Sequence, residues 1–183
     1  MTSLQAHLLI ASPKLPEPFT RAVVLLVRHN EEGALGLILN RSTTASMQDA
    51  WSKVSDIPCQ RDEAIFLGGP CEGPLVALHT DEFLLEIEVL PGLYFCAGKD
   101  KLETLAAREE AGPVKFFAGY SGWSPGQLED EIRRGSWSIM PAQMEHVFAF
   151  EEELWPHMCR QVADASLRGR LGIKHMPPDV RMN

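Results

Sequence analysis

Residues 22–40 read Ala22-Val23-Val24-Leu25-Leu26-Val27-Arg28-His29-Asn30-Glu31-Glu32-Gly33-Ala34-Leu35-Gly36-Leu37-Ile38-Leu39-Asn40, and this stretch decides the fold class. Ala22 to Val27 is apolar at every position and rich in β-branched side chains. A half-buried strand alternates, so this run predicts a central strand covered on both faces. Asn30-Glu31-Glu32-Gly33 is a turn, with Gly33 available for positive φ. Leu35 to Leu39 returns as the partner strand, so residues 22–40 form a hairpin. Glycine weakens a strand, so Gly36 points to a bend or to close approach by another segment.

Working outward, Leu8 to Ala11 is a short first strand ended by Pro13, Pro16 and Pro18. A helix covers Met47 to Val54, capped by Ser46. Ala64 to Leu67 is a buried strand running into Gly68-Gly69-Pro70, and Leu75 to His79 is the next. Leu85, Ile87 and Val89 alternate with Glu86 and Glu88, which gives a strand with one wet face. Pro91-Gly92 turns the chain into a strand from Leu93 to Cys96. A second helix starts at Asp100, with Glu103 completing a capping box, and stops at Gly112-Pro113. Val114 to Ala118 is a strand that leads into Gly119-Tyr120-Ser121-Gly122-Trp123. A third helix spans Ser124 to about Arg134, and Trp137 to Ile139 is the last strand. The final helix begins near Leu154 with Pro156 in its first turn. Consecutive hairpins outnumber strand–helix–strand units, so the class is α+β with a mixed, mostly antiparallel sheet. One domain spans residues 1–175, followed by a loose tail at 176–183.

The 183 residues carry 17 basic and 25 acidic side chains, a net charge of −8, with 45% hydrophobic and 23% charged residues. This excludes disorder, collagen and coiled coil for most of the chain. The longest apolar run is Ala22 to Val27, far short of the ~20 residues that span a bilayer. No basic region precedes the apolar Leu8-Leu9-Ile10, so no export signal is expected, and a cytoplasmic location is. Cys59, Cys71, Cys96 and Cys159 are scattered, with no CxxC pair, and read as reduced thiols without metal.

Gly122-Trp123-Ser124-Pro125-Gly126 matches the G-x-S-x-G nucleophile elbow. That elbow needs a backbone N–H on the residue after serine, and Pro125 has none. The segment reads instead as a helix start, with Ser124 as N-cap, Pro125 at N1 and Gln127 at N3. Gly68-Gly69-Pro70 lacks the lysine and following helix of a phosphate loop and reads as a tight turn. His29 and His79 sit at strand ends, as general bases, ligands or satisfied rim residues. The four tryptophans are core anchors. Glu151-Glu152-Glu153 places favourable charge at a helix N-terminus.

Six stretches occur in order: Leu9-Ile10-Ala11-Ser12-Pro13; Arg28-His29-Asn30 with Gly33-Ala34-Leu35-Gly36-Leu37-Ile38-Leu39-Asn40; Phe66-Leu67-Gly68-Gly69-Pro70; Leu78-His79-Thr80; Gly119-Tyr120-Ser121-Gly122-Trp123; and Gly126-Gln127-Leu128-Glu129. Over residues 5–165 the chain resembles the YqgE/AlgH family of bacterial proteins. The segment after residue 165 lies outside the resemblance. The resemblance implies an α+β domain whose sheet bends into a partial barrel with helices around it. It supplies no catalytic residue and no cofactor. Some members are labelled transcriptional regulators.

Two functional readings follow. The first is a non-enzymatic cytoplasmic binding or regulatory protein acting through an unknown protein or small-molecule partner. The second is a small-molecule-binding protein or weak enzyme, its pocket lined by Asn40, Gly68, Gly69, His79 and Trp123. No membrane or nucleic-acid partner is expected. The one basic concentration, Arg160, Arg168, Arg170 and Lys174, straddles the end of the final helix, where cations also suit the dipole. DNA binding at physiological salt should therefore be no tighter than about 10 μM, within the non-specific range. Fluorescence anisotropy with genomic fragments checks this. Submicromolar, competitor-resistant binding that weakens in an Arg168→Ala/Arg170→Ala variant would contradict it.

Overall fold

The computed structural model describes residues 2–108 and 112–171. The hairpin at its centre is β2 (Val23–Asn30) and β3 (Gly33–Ile38), antiparallel, with a register shift between Leu26 and Arg28. Val23, Leu25 and Val27 enter one core cluster, while Val24 and Leu26 enter another. The strand is therefore covered on both faces, as its unbroken apolar run requires. A Cβ at Gly36 would sit 2.6 Å from Val24 Cγ1 and 3.0 Å from the Leu25 carbonyl oxygen, which is the close approach expected there.

β1 (His7–Ala11) lies between β2 and β10 (Trp137–Pro141). On the other side β3 pairs with β9 (Val114–Trp123), and β9 with β6 (Cys71–His79). β8 (Leu93–Cys96) and then β7 (Ile87–Leu90) follow. β5 (Ala64–Leu67) pairs in parallel with β9 and carries β4 (Ser42–Ser46) on its far edge. The ten strands form one mixed, mostly antiparallel sheet. It curls until β7 comes against β2 without bonding to it, which makes a partial barrel. Gln5 Nε2 donates to the Glu88 carbonyl of β7 at 3.1 Å.

The inside of the curl holds Leu8, Leu25, Leu37, Leu78, Phe95 and Phe117, stoppered by Val147 of α4 (Met144–Val147) and by Leu154 and Met158 of α5 (Glu151–Leu171). α1 (Met47–Trp51) and α2 (Lys99–Ala106) cover the outer face of β5, β6, β8 and β9. α3 (Gln127–Arg133) covers the outer face of β1, β2, β3 and β10. There Trp123 and Trp137 both donate their indole N–H to Glu131 Oε2, at 2.9 and 2.8 Å, and Gln127 donates to Oε1 at 3.0 Å. One carboxylate thus fastens α3 to two strands. No described helix is long and apolar enough to cross a membrane. The four cysteines are free thiols.

Several boundaries differ from expectation. Ser46 Oγ does accept from the Asp49 N–H at 3.2 Å, but the helix it caps ends at Trp51. α2 starts at Lys99 with Gly98 as N-cap, so Asp100 lies in its first turn and caps nothing. β7 starts only at Ile87, because Glu82–Leu84 forms a 3₁₀ turn. Ser124 is not the cap of α3. That position belongs to Gly126, at φ 77°, with no side-chain bond. The Gln127 half of the capping box is present, its Oε1 accepting from the Ser124 N–H at 3.1 Å. α5 begins at Glu151, which leaves Pro156 inside the helix beyond its first turn. β9 continues through Gly119, at φ 70°, to Trp123. β4 and α4 were not expected. The proposed tail at 176–183 lies outside the described residues.

Replacing Glu131 by Ala orphans two buried indole donors and should cost about 2 kcal/mol of unfolding free energy. Glu131→Gln keeps an acceptor and should lose less. Urea denaturation followed by tryptophan fluorescence measures both.

Candidate functional site

The sheet's register builds one open cleft at the β2–β3 turn. Arg28 of β2 pairs with Leu35 of β3, Leu35 pairs with Gly122 of β9, and nearby Tyr120 pairs with Cys71 of β6. These residues line a cavity of about 450 Å³, rimmed by Asn30, Glu32, Ser124 and Pro125. Gly122 is its exposed floor. A Cβ added there would lie 3.3 Å from the Tyr120 ring and 3.6 Å from Cys71 Sγ, so phenol and thiol flank bare backbone. Gly33 shapes the wall: at φ 124° it leaves no room for a Cβ against the Trp123 carbonyl oxygen.

Among the described residues, the Arg28 guanidinium, the Tyr120 and Ser124 hydroxyls and the Cys71 thiol make no hydrogen bond or ion pair within the chain. A second cleft, about 570 Å³, contrasts with this. There Arg41 bonds the Pro18 and Thr20 carbonyls and pairs with Glu17 at 3.2 Å. Glu151 accepts from the Ser42 N–H at 2.7 Å, and the Trp155 indole donates to the Ala11 carbonyl at 3.0 Å. Arg21 lies over the Trp155 ring, 5.6 Å from its centroid. That cleft is a joint between the central hairpin and α5, with Arg41, Asn40, Glu151 and Trp155 bonded across it.

The five pocket residues expected from sequence do not meet in one cavity. Asn40 belongs to the joint: Oδ1 accepts from the Val23 N–H at 2.8 Å and Nδ2 donates to the Arg21 carbonyl at 2.9 Å. Gly68 splices β3, β5 and β9. Its N–H donates to Ala118 at 3.0 Å, and its carbonyl accepts from Ile38 N–H and Ser121 Oγ at 2.9 and 3.1 Å. Gly69, at φ 157°, packs against the Tyr120–Ser121 backbone with no room for a side chain. His79 is 0% exposed, and neither ring nitrogen has a partner. Trp123 alone lines the first cleft, its indole N–H held by Glu131.

His29 is a satisfied residue. Nδ1 accepts from the Leu4 N–H at 2.9 Å, and Nε2 meets Glu129 Oε1 at 2.8 Å. Arg28, Cys71, Tyr120 and Gly122 were not among the expected pocket residues. Period-two spacing relates Tyr120 to Gly122, but the register that adds Arg28 and Cys71 is long-range. Among the described residues, no histidine or carboxylate bonds to Cys71 or Ser124. Among the described residues, no three His, Cys, Asp or Glu side chains gather as a metal site would require.

A curled α+β sheet with helices on its outer faces and an open, glycine-floored cleft defines the class of fold. The chain belongs to the AlgH-like family, whose model matches residues 8–165. It is 40% identical over 160 residues to the UPF0301 protein CT0663 of Chlorobaculum tepidum, covering 84% of this chain and 83% of that one. With the UPF0301 protein SCO2948 of Streptomyces coelicolor it shares 35% identity over 196 residues, covering 98% and 94%. The solution structure of AlgH from Pseudomonas aeruginosa superposes with a TM-score of 0.72 at 28% identity, covering 97% of each chain. The crystal structure of DIP2367 from Corynebacterium diphtheriae shares the fold, with a TM-score of 0.70 at 22% identity over 88% of each chain.

Burial lowers the pKa of His79 and of His146 below the ordinary 6.5. As pH falls through 6.5 the unfolded chain takes up protons that the folded one refuses, so stability drops toward acid. The urea midpoint should fall between about pH 7 and pH 5.5. The fall should be smaller in His79→Leu; an equal fall would remove His79 from the account.

Proposed function

We propose that this is a non-enzymatic binding protein that holds a small anionic molecule in the cleft between Arg28 and Tyr120. The observation that carries the reading is that the Arg28 guanidinium, the Tyr120 and Ser124 hydroxyls and the Cys71 thiol line one cleft without a hydrogen bond or ion pair among the described residues, whereas Arg41, Glu151 and Trp155 of the α5 joint are bonded. A guanidinium presents a planar fork that suits carboxylate and phosphate. Hydroxyls of Tyr120 and Ser124 add donors beside it. The glycine floor lets a ligand come close to the β9 backbone. The cleft's volume lies within the usual range for small-molecule sites. The setting we propose is the cytoplasm, in keeping with four free thiols. Regulation, if relatives' labels extend to this chain, would run through occupancy of this cleft and a protein partner, without direct contact to nucleic acid.

Thermal shift across phosphorylated and carboxylated metabolites, followed by calorimetry on any hit, tests the reading. A ligand that prefers the native state raises its Tm. Arg28→Gln should weaken that ligand about tenfold, the loss of roughly one charge-assisted pair. Gly122→Val should fill the floor and abolish binding while the unliganded Tm holds. A panel without a hit, or a hit indifferent to both variants, would reject the proposal.

A further inference from the structure

β9 runs past its neighbour β6 at the open end of the curl. The last pair on that edge joins Cys71 to Tyr120, so Ser121, Gly122 and Trp123 have no strand beside them there. Their opposite edge is taken by β3, which pairs Gly36, Leu35 and Ala34 with the same three residues. Backbone groups of an antiparallel strand point alternately to its two edges. A Cβ added at Gly33 would collide with the Trp123 carbonyl oxygen, so that oxygen faces β3. Alternation then turns the N–H and carbonyl of Gly122 to the open edge, the one Tyr120 uses for Cys71. Neither group takes part in a turn, loop or cap bond among the described residues.

Gly122 is exposed, so this donor–acceptor pair opens on the cleft. An extended segment laid along the edge closes both bonds with one residue. That residue's N–H meets the Gly122 carbonyl and its carbonyl meets the Gly122 N–H, as in peptides that add to a sheet. Only one residue can be held this way. Ser124, the next to point in the same direction, already donates its N–H to Gln127 Oε1 and accepts the Gln127 N–H at its carbonyl. Behind Gly122, Tyr120 faces Cys71. The opening therefore suits a short peptide and not a long strand, and its volume is that of a small-molecule site.

The same register says which side chain the peptide carries. Residues directly opposite one another share a face of the sheet. Arg28, Leu35 and Gly122 form such a row, because Arg28 pairs with Leu35 and Leu35 with Gly122. A residue added opposite Gly122 continues the row, and its side chain crosses a position that has none. Three strand spacings put its backbone about 14 Å from that of Arg28. A long side chain from each end spans this gap, which favours glutamate over the shorter aspartate. Arg28 makes no ion pair among the described residues. Exposed as it is, the guanidinium selects a carboxylate only on a ligand whose backbone the sheet already holds.

We infer that the cleft takes a short peptide containing a glutamate, whose backbone bridges Gly122 and whose carboxylate meets Arg28. The inference rests on the reading of this cleft as an anion site and names the class of its ligand.

The experiment titrates the ¹⁵N-labelled full chain with acetyl-Ala-Glu-Ala-amide and follows amide shifts. The Gly122 amide should shift saturably. A peptide with glutamine at the centre should bind about tenfold more weakly, the loss of one charge-assisted pair. Methylating the glutamate nitrogen removes the donor to the Gly122 carbonyl and should weaken binding at least about threefold. Arg28→Gln should weaken the glutamate peptide and leave the glutamine peptide unchanged. A nine-residue peptide with the same centre should bind no more than about tenfold tighter, because one residue alone is held. A larger gain would assign the edge to a partner protein's strand and overturn the inference. So would no saturable Gly122 shift at millimolar peptide, or equal binding of the N-methyl or glutamine peptide. If the peptide fails while a metabolite binds in an Arg28-dependent way, this inference alone falls. If no anion of either kind depends on Arg28, the reading of the cleft falls with it.

Discussion

β9, from Val114 to Trp123, pairs with neighbours on both of its edges, and the rest of the molecule is arranged around that constraint. One edge carries β6. The other carries β5, in parallel, against residues 116–118, and then β3, antiparallel, against residues 121–123. Two strands running in opposite senses can share one edge only where the chain between them is spliced. Gly68 makes that splice with its own N–H and carbonyl. A Cβ at Gly68 would collide with the Gly119 carbonyl, and one at Gly119 would press on the Cys71 carbonyl at 2.7 Å. These glycines are therefore structural requirements of the junction, and no ligand is needed to explain them.

The same arrangement covers both faces of the sheet. Side chains of β9 alternate between the α1–α2 cluster, with Phe116, and the interior of the curl, with Phe117. Lys115 is the polar exception on the interior side. Its ammonium donates to the Leu39 carbonyl at 3.1 Å and sits 4.2 Å from the Phe66 ring centroid. Burial pushes its pKa down to about 8. With middles this thoroughly buried, uncommitted polar groups remain where strands end and where helices meet. The cleft at Arg28 is the first kind of place.

This explains how far the sequence could be read. The doubly apolar run Ala22 to Val27 announces a strand covered on both faces, and the turn at Asn30 to Gly33 announces its hairpin. Both are local signals. The expected strand ends at Ala118, before two glycines, yet the strand runs on through both to Trp123: Gly119 supplies a positive φ and Gly122 a cleft floor. Ser124 reads as a cap from its neighbours, but Gly126 takes the left-handed turn that sets the helix start. The expected pocket joined residues that share motif-like surroundings. Asn40, Gly68, Gly69 and His79 are each engaged or enclosed, and only Trp123 reaches the cleft. Arg28 and Cys71 come together only through register across four strands, which no local pattern encodes.

The central claim is that ligand recognition sits on the sheet's open end at β2, β3 and β9. Amide chemical-shift mapping during titration with the tightest anionic ligand found tests it most directly. The account predicts shifts concentrated at Gly33, Gly122, Trp123 and Ser124 and at the Arg28 side chain. Shifts confined to the joint around Asn40 and Trp155, or spread along the interior-facing residues of β9, would contradict it.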